Sequence, residues 1–158
     1  MPLRLIAVGT RMPGWVDQAF ADYARRLRGS HRLELAEVPV ARRGAADSAA
    51  QIARLVAAEG RRTLALLGPQ AVVVALDGRG AEYSSRELAK KLPLWLRQGT
   101  VSFLIGGPDG FAPEVLARAP ERWSLSKLTL PHGLARVLLA EQLYRAVCLN
   151  DGHPYHRD

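Results

Sequence analysis

The chain has 158 residues, 48% hydrophobic and 23% charged, with 22 Lys and Arg against 15 Asp and Glu for a formal charge of +7. That excludes intrinsic disorder and sets the size of one domain over residues 1–158, large enough to bury about two-thirds of its unfolded surface. No apolar run approaches the roughly 18 residues of a membrane span and the apolar N-terminal stretch is too short for a signal-peptide core, so a cytoplasmic protein with no membrane partner is expected.

The run 3–8 is short, apolar and ended by Gly9, which predicts a buried strand; Trp15, Ala19, Tyr23 and Leu27 follow at helical spacing. A second strand is predicted over 32–38, stopped at Pro39, then a helix over 46–67 that Gly60 is expected to break. A third strand covers 71–76. Ser84 three residues before Glu87 is a capping box opening a helix to about Arg97, which Pro93 should kink or split. Residues 100–105 form a fourth strand, apolar except for Ser102, as expected where helices cover both sheet faces. The last helix, over 133–149, is apolar around most of its circumference and so needs cover on two sides. A second copy of the chain across a two-fold axis is the simplest second cover; burial within one chain is the alternative. Cys148, the one cysteine, lies in this run and is read as a buried, inert thiol.

Strands alternating with helices predict an α/β fold with a mainly parallel sheet and helices on both faces. Ligands in such folds bind beyond the carboxyl ends of strands, here Asp77-Gly78 and Gly106-Gly107-Pro108-Asp109-Gly110. The second is either a ligand turn or a bare turn. It lacks the first glycine of a dinucleotide fingerprint and the Gly-Lys-Ser/Thr ending of a phosphate loop, which disfavours a nucleoside triphosphate. The segment 123–133 is half-apolar, with backbone groups that could meet an adenine edge, or else an ordinary strand and turn. The tail His153-Pro154-Tyr155-His156-Arg157-Asp158 is unusually dense in chemistry for a terminus. A metal site of His153, His156 and Asp158 has poor spacing and no cysteine, so the expected metal complement is none. A frayed polar tail and a substrate-facing tail stay open. The basic pairs Arg25-Arg26, Arg42-Arg43 and Arg61-Arg62 suit phosphate as well as they suit a solvated surface. Hydrolase signatures are lacking.

Four strings, taken together and in order, carry a resemblance: Ala7-Val8-Gly9-Thr10 with Met12-Pro13; 104–110; Trp123-Ser124-Leu125-Ser126 with Leu128-Thr129-Leu130-Pro131-His132; and the closing 153–157. The chain resembles the bacterial large-subunit pseudouridine N3-methyltransferases of the SPOUT superfamily, from its first strand to its end. The resemblance implies a C-terminal trefoil knot, an exception to the rule that chains do not thread their own loops. It implies a homodimer that uses S-adenosyl-L-methionine to methylate N3 of a pseudouridine in 23S rRNA of the large subunit or the 70S ribosome. The cofactor contacts it implies are Leu76, Gly106, Leu125, Ser126, Lys127, Leu128, Thr129 and Leu130. Arg136, Tyr155 and His156 would meet RNA, and Tyr144 would stand near the reacting groups. Asp158 stands where the family pattern has Glu, a conservative departure.

The sulfonium of the donor is already a good electrophile, so the protein need only align N3 and help remove its proton. His153 is the expected base or relay and Arg157 the expected phosphate or anion clamp. Another SPOUT RNA methyltransferase, acting on a ribose hydroxyl or a tRNA base, and a basic ribosome-binding protein with a vestigial pocket are the competing readings.

Overall fold

A computed structural model describes residues 2–44 and 48–155 of the chain. Five parallel strands form one sheet in the order β2-β1-β4-β3-β5, with β1 Leu3–Val8, β2 Leu33–Val38, β3 Val72–Glu82, β4 Val101–Ile105 and β5 Glu121–Ser124. The helices are α1 Gly14–Arg26, α2 Ala49–Ala65, α3 Ser85–Gln98, α4 Pro113–Ala117 and α5 His132–Asp151. The period of two along the strands sorts the core into two layers. Leu3, Leu5, Ala7, Val74 and Phe103 pack under α1, α3 and α5, while Ile6, Val8, Val73, Ala75 and Leu104 pack under α2 and α4. The α/β fold with helices on both faces is therefore as expected.

Local rules hold where they are local. Ser84 accepts from the Glu87 amide while Glu87 reaches back to the Ser84 amide, the reciprocal cap read from the sequence. Four expectations need correction. Gly60 does not break α2: a Cβ there would lie 2.8 Å from the Ala112 Cβ, so the glycine serves close packing of α2 on α4. Pro93 does not split α3, which runs through it. Pro93 cannot donate to the Ala89 carbonyl one turn back, and Asn150 of α5 supplies that bond instead, Nδ2 to O at 2.9 Å.

The third correction concerns α1, where Val16 and Phe20 are the buried residues and Trp15 stays 56% exposed. The stripe is rotated because Val16 seats against Gly133 of α5, where a Cβ would come within 2.9 Å of Val16 Cγ2. The fourth concerns β3, which was expected to stop at 76. The ladder with β5 lapses after Leu76 and resumes at Ala81, opposite the same Trp123. Gly80 permits this, since a Cβ there would meet the Arg122 backbone at 2.4 Å.

Candidate active site

The carboxyl ends of β3 and β4 open onto a cavity of about 510 Å³, within the roughly 300–1,000 Å³ range of small-molecule sites. Its walls are apolar at Leu76, Ile105, Phe111, Leu116, Trp123 and Leu125. Polar groups enter from three directions: Asp77 and Arg79 in the lapse of β3, the turn 106–110, and the segment 125–130 after β5. The turn is tight; a Cβ on Gly106 would approach the Gly110 carbonyl carbon at 3.1 Å, and Gly110 has φ +84.

The segment after β5 is shaped by its serines. Ser124 Oγ donates to the Ser126 carbonyl at 2.8 Å, and the Leu128 amide donates to Ser126 Oγ at 2.9 Å. Among the described residues, 125–130 makes no loop or turn hydrogen bond from backbone to backbone, so amides and carbonyls other than the Leu128 amide and the Ser126 carbonyl remain for a ligand. Leu128 stands on the lip, 76% exposed, and Lys127 points outward towards Glu82 at 4.0 Å. An apolar slot edged by spare backbone groups, with carboxylates of Asp77 and Asp109 at its rim, suits a ligand that joins a flat heterocycle, hydroxyls and a charged end.

All eight residues expected to hold the cofactor line this one cavity. The sequence reading missed others. His132, the first residue of α5, faces the same cavity; burial and then the nearby Arg136 charge lower its pKa, favouring the neutral imidazole. The place of His132 between a strand and a helix is the signal in the sequence that points to it.

The residues expected near the reacting groups and the RNA divide differently. Arg136 turns inward: it is 1% exposed, donates from Nη2 to the Gly9 carbonyl at 2.8 Å and pairs through Nη1 with Glu37 at 2.7 Å. Its expected contact with RNA is corrected accordingly, because a guanidinium closed in between β1, β2 and α5 has no face left for a phosphate. Tyr144, His153 and Tyr155 gather at the opposite end of α5. Tyr144 and Tyr155 rings lie 4.6 Å apart, and Tyr155 donates its hydroxyl to Glu141 at 2.8 Å. Burial and then that bond push the Tyr155 phenol up. The Arg145 guanidinium covers the Tyr155 ring at 4.9 Å, and the Tyr155 amide donates to His153 Nδ1 at 3.1 Å. His156 and Arg157, together with Asp158, lie outside the described residues.

Tyr155 folds back along α5 so that its hydroxyl meets Glu141 and its ring meets Tyr144, roughly 14–18 Å along the helix from His132 at 1.5 Å per residue.

A family model described as "Predicted SPOUT methyltransferase" matches residues 1–156. The chain is 54% identical over 158 residues to the ribosomal RNA large subunit methyltransferase H of Alkalilimnicola ehrlichii, covering 99% of each. It is 50% identical to the protein of the same name from Pseudomonas fluorescens, covering 99% of this chain and all of that one. A probable methylase family protein from Haemophilus influenzae superposes with a TM-score of 0.53 at 16% identity, covering 97% of this chain and 67% of that one, a likeness of fold alone. The chain belongs to the SPOUT methyltransferases, enzymes that take their methyl group from S-adenosylmethionine. The two curated relatives carry the more particular name of large-subunit rRNA methyltransferases.

Proposed function

We propose that this protein methylates N3 of a pseudouridine in 23S rRNA, on the large subunit or assembled ribosome, as a homodimer of one-domain chains with the donor seated in a C-terminal trefoil knot. The observation that carries the reading is the convergence of Leu76, Gly106 and residues 125–130 on a single cavity at the strand ends. Relatives that match this chain end to end under the name of large-subunit rRNA methyltransferases support the acceptor class.

S-Adenosylmethionine, when bound, supplies a methyl group on a sulfonium sulfur. The work left to the chain is positioning and charge. Leu76 and Leu125 would hold the donor's apolar parts, the backbone of 125–130 would offer hydrogen bonds, and the turn 106–110 would allow close backbone approach. The N3 proton must leave as the new bond forms, and an imidazole accepts it best when neutral near pH 7.

We place the tail of one subunit over the cavity of the other, with the half-covered Val137 and Leu138 of α5 and the exposed Trp15 as candidates for the surface between copies. There His153 accepts or relays the proton, Arg157 clamps phosphate or developing anion, Tyr144 braces the pair, and Tyr155 and His156 touch the RNA. His132 serves the same proton from the cavity's own wall.

The test is transfer of labelled methyl from S-adenosylmethionine to ribosomal particles, large subunits and free RNA, with mapping of the modified nucleotide. Label at a pseudouridine of 23S rRNA is the expected result; label on a ribose hydroxyl or on tRNA would overturn the acceptor. Mixing a Gly106→Val protein with an Arg157→Ala protein tests the shared site. Random exchange of subunits should recover about a quarter of wild-type activity, one intact site in half of the dimers, and no recovery would refute the shared arrangement.

A further inference from the structure

Against the glycine turn, three charged side chains form an arrangement that reaches from α2 to Asp109 at the cavity rim. Glu59 lies on α2, 2% exposed. Its carboxylate accepts from the Ala41 amide at 2.9 Å and from Arg43 Nη1 at 2.6 Å. The same guanidinium donates from Nε to Asp109 Oδ2 at 3.0 Å and from Nη1 to the Ala41 carbonyl at 2.7 Å. Asp109 is part of the turn. The turn also rests on Glu59 directly, since a Cβ at Gly107 would stand 2.7 Å from Glu59 Oε1.

We propose that Arg43, Glu59 and Asp109 are positioning residues for the methyl donor, a clamp in which Arg43 and Glu59, behind the cavity wall, hold Asp109 and the turn 106–110 in donor-binding shape. The proposal rests on the reading of the cavity as the S-adenosylmethionine site. Three of the five residues 106–110 are glycine, so the free turn has wide backbone freedom, and freezing it at the moment of binding would weaken affinity. Fixing it during folding removes that cost from the binding step. A carboxylate as buried as Glu59 is expensive unless paired, and the pairing here is spent on the turn and its approach rather than on the core. The clamp has a deep half, Arg43 with Glu59, and an outer half, Arg43 with Asp109, whose side chain is 37% exposed.

The experiment is calorimetric titration of the full-length protein with S-adenosylmethionine for wild type, Asp109→Asn, Asp109→Glu, Glu59→Gln and Gly106→Val. Donor and RNA KM values, melting temperature and amide hydrogen exchange over 106–111 are measured beside it. Loss of one charge-assisted bond at the turn should weaken donor binding about tenfold in Asp109→Asn. Asp109→Glu should recover most of this, and Glu59→Gln should lose more. Exchange in the turn should quicken in Asp109→Asn, and KM for the donor should rise while KM for RNA stays. If Glu59→Gln does not fold, Asp109→Asn decides through exchange in the turn measured without donor, which a merely direct contact of Asp109 with the donor would leave at the wild-type rate. Wild-type affinity and exchange in Asp109→Asn overturn the clamp alone, as do equal rises in both KM values. Binding that survives unchanged in Gly106→Val overturns the cofactor reading, and the clamp falls with it.

Discussion

The two ends of α5 are built by different means. At its start the chain is fixed: His132 stands in the cavity wall, Gly133 receives Val16, and one turn later Arg136 ties β1 to β2 from inside. At its close the contacts are a surface stack of Tyr144, His153 and Tyr155 over Arg145 and Glu141. The contrast teaches that one helix can be fixed by burial at its start and by side-chain stacking further along.

Each of the following outcomes would break or sharpen that contrast. Arg136→Met should be the most damaging to the fold, since it strands Glu37 and the Gly9 carbonyl; a loss of about 3 kcal/mol is expected by denaturant titration. A loss no greater than that of Tyr155→Phe would remove the claimed difference between the ends. Gly106→Val should weaken donor binding roughly a hundredfold through overpacking of the turn, whereas His153→Ala should leave donor affinity at the wild-type value. Equal effects in calorimetry would merge the two ends into one site.

Asn150→Ala should cost about 1–2 kcal/mol, because the Ala89 carbonyl loses its substitute donor. In the Pro93→Ala background the backbone amide returns, and the same change should cost about half as much or less. Smallest is the pH effect at His132. Its folded pKa lies below the unfolded value near 6.5, so the unfolded chain binds the proton first. The stability contribution is full above about pH 6.5 and declines as pH falls through that value towards the folded pKa. Melting temperatures of wild type and His132→Gln should diverge least above that point and differ in slope below it.

The alternation of strands and helices was readable because each element is decided by a handful of neighbouring residues, as at Ser84 with Glu87. The cavity was readable in part for a similar reason: Asp77-Gly78 and 106–110 lie at strand ends, where the general topology places ligands, whereas Leu76 and 125–130 came only with the family resemblance. What stayed hidden depends on partners far along the chain. Arg136 meets Glu37 across 99 residues, and Asn150 answers Pro93 by way of Ala89 across 61. Pattern along a sequence marks Gly60 and Pro93 as interruptions; only the opposing Ala112 and Asn150 turn them into joints. Glu59 and Arg43 gave no signal at all, since a single acid in a helix and half of a basic pair look like ordinary surface until they are found at 2.6 Å from one another.

The lapse in β3 has a kinetic consequence. Trp123 of β5 pairs with Leu76 before the lapse and with Ala81 after it, so residues 77–80 are anchored at both ends by one neighbour. A loop stitched down on each side cannot swing as a lid, and its closure entropy is settled once, when the sheet forms. A ligand entering or leaving the cavity therefore meets, at 77–79, a wall held by the sheet itself.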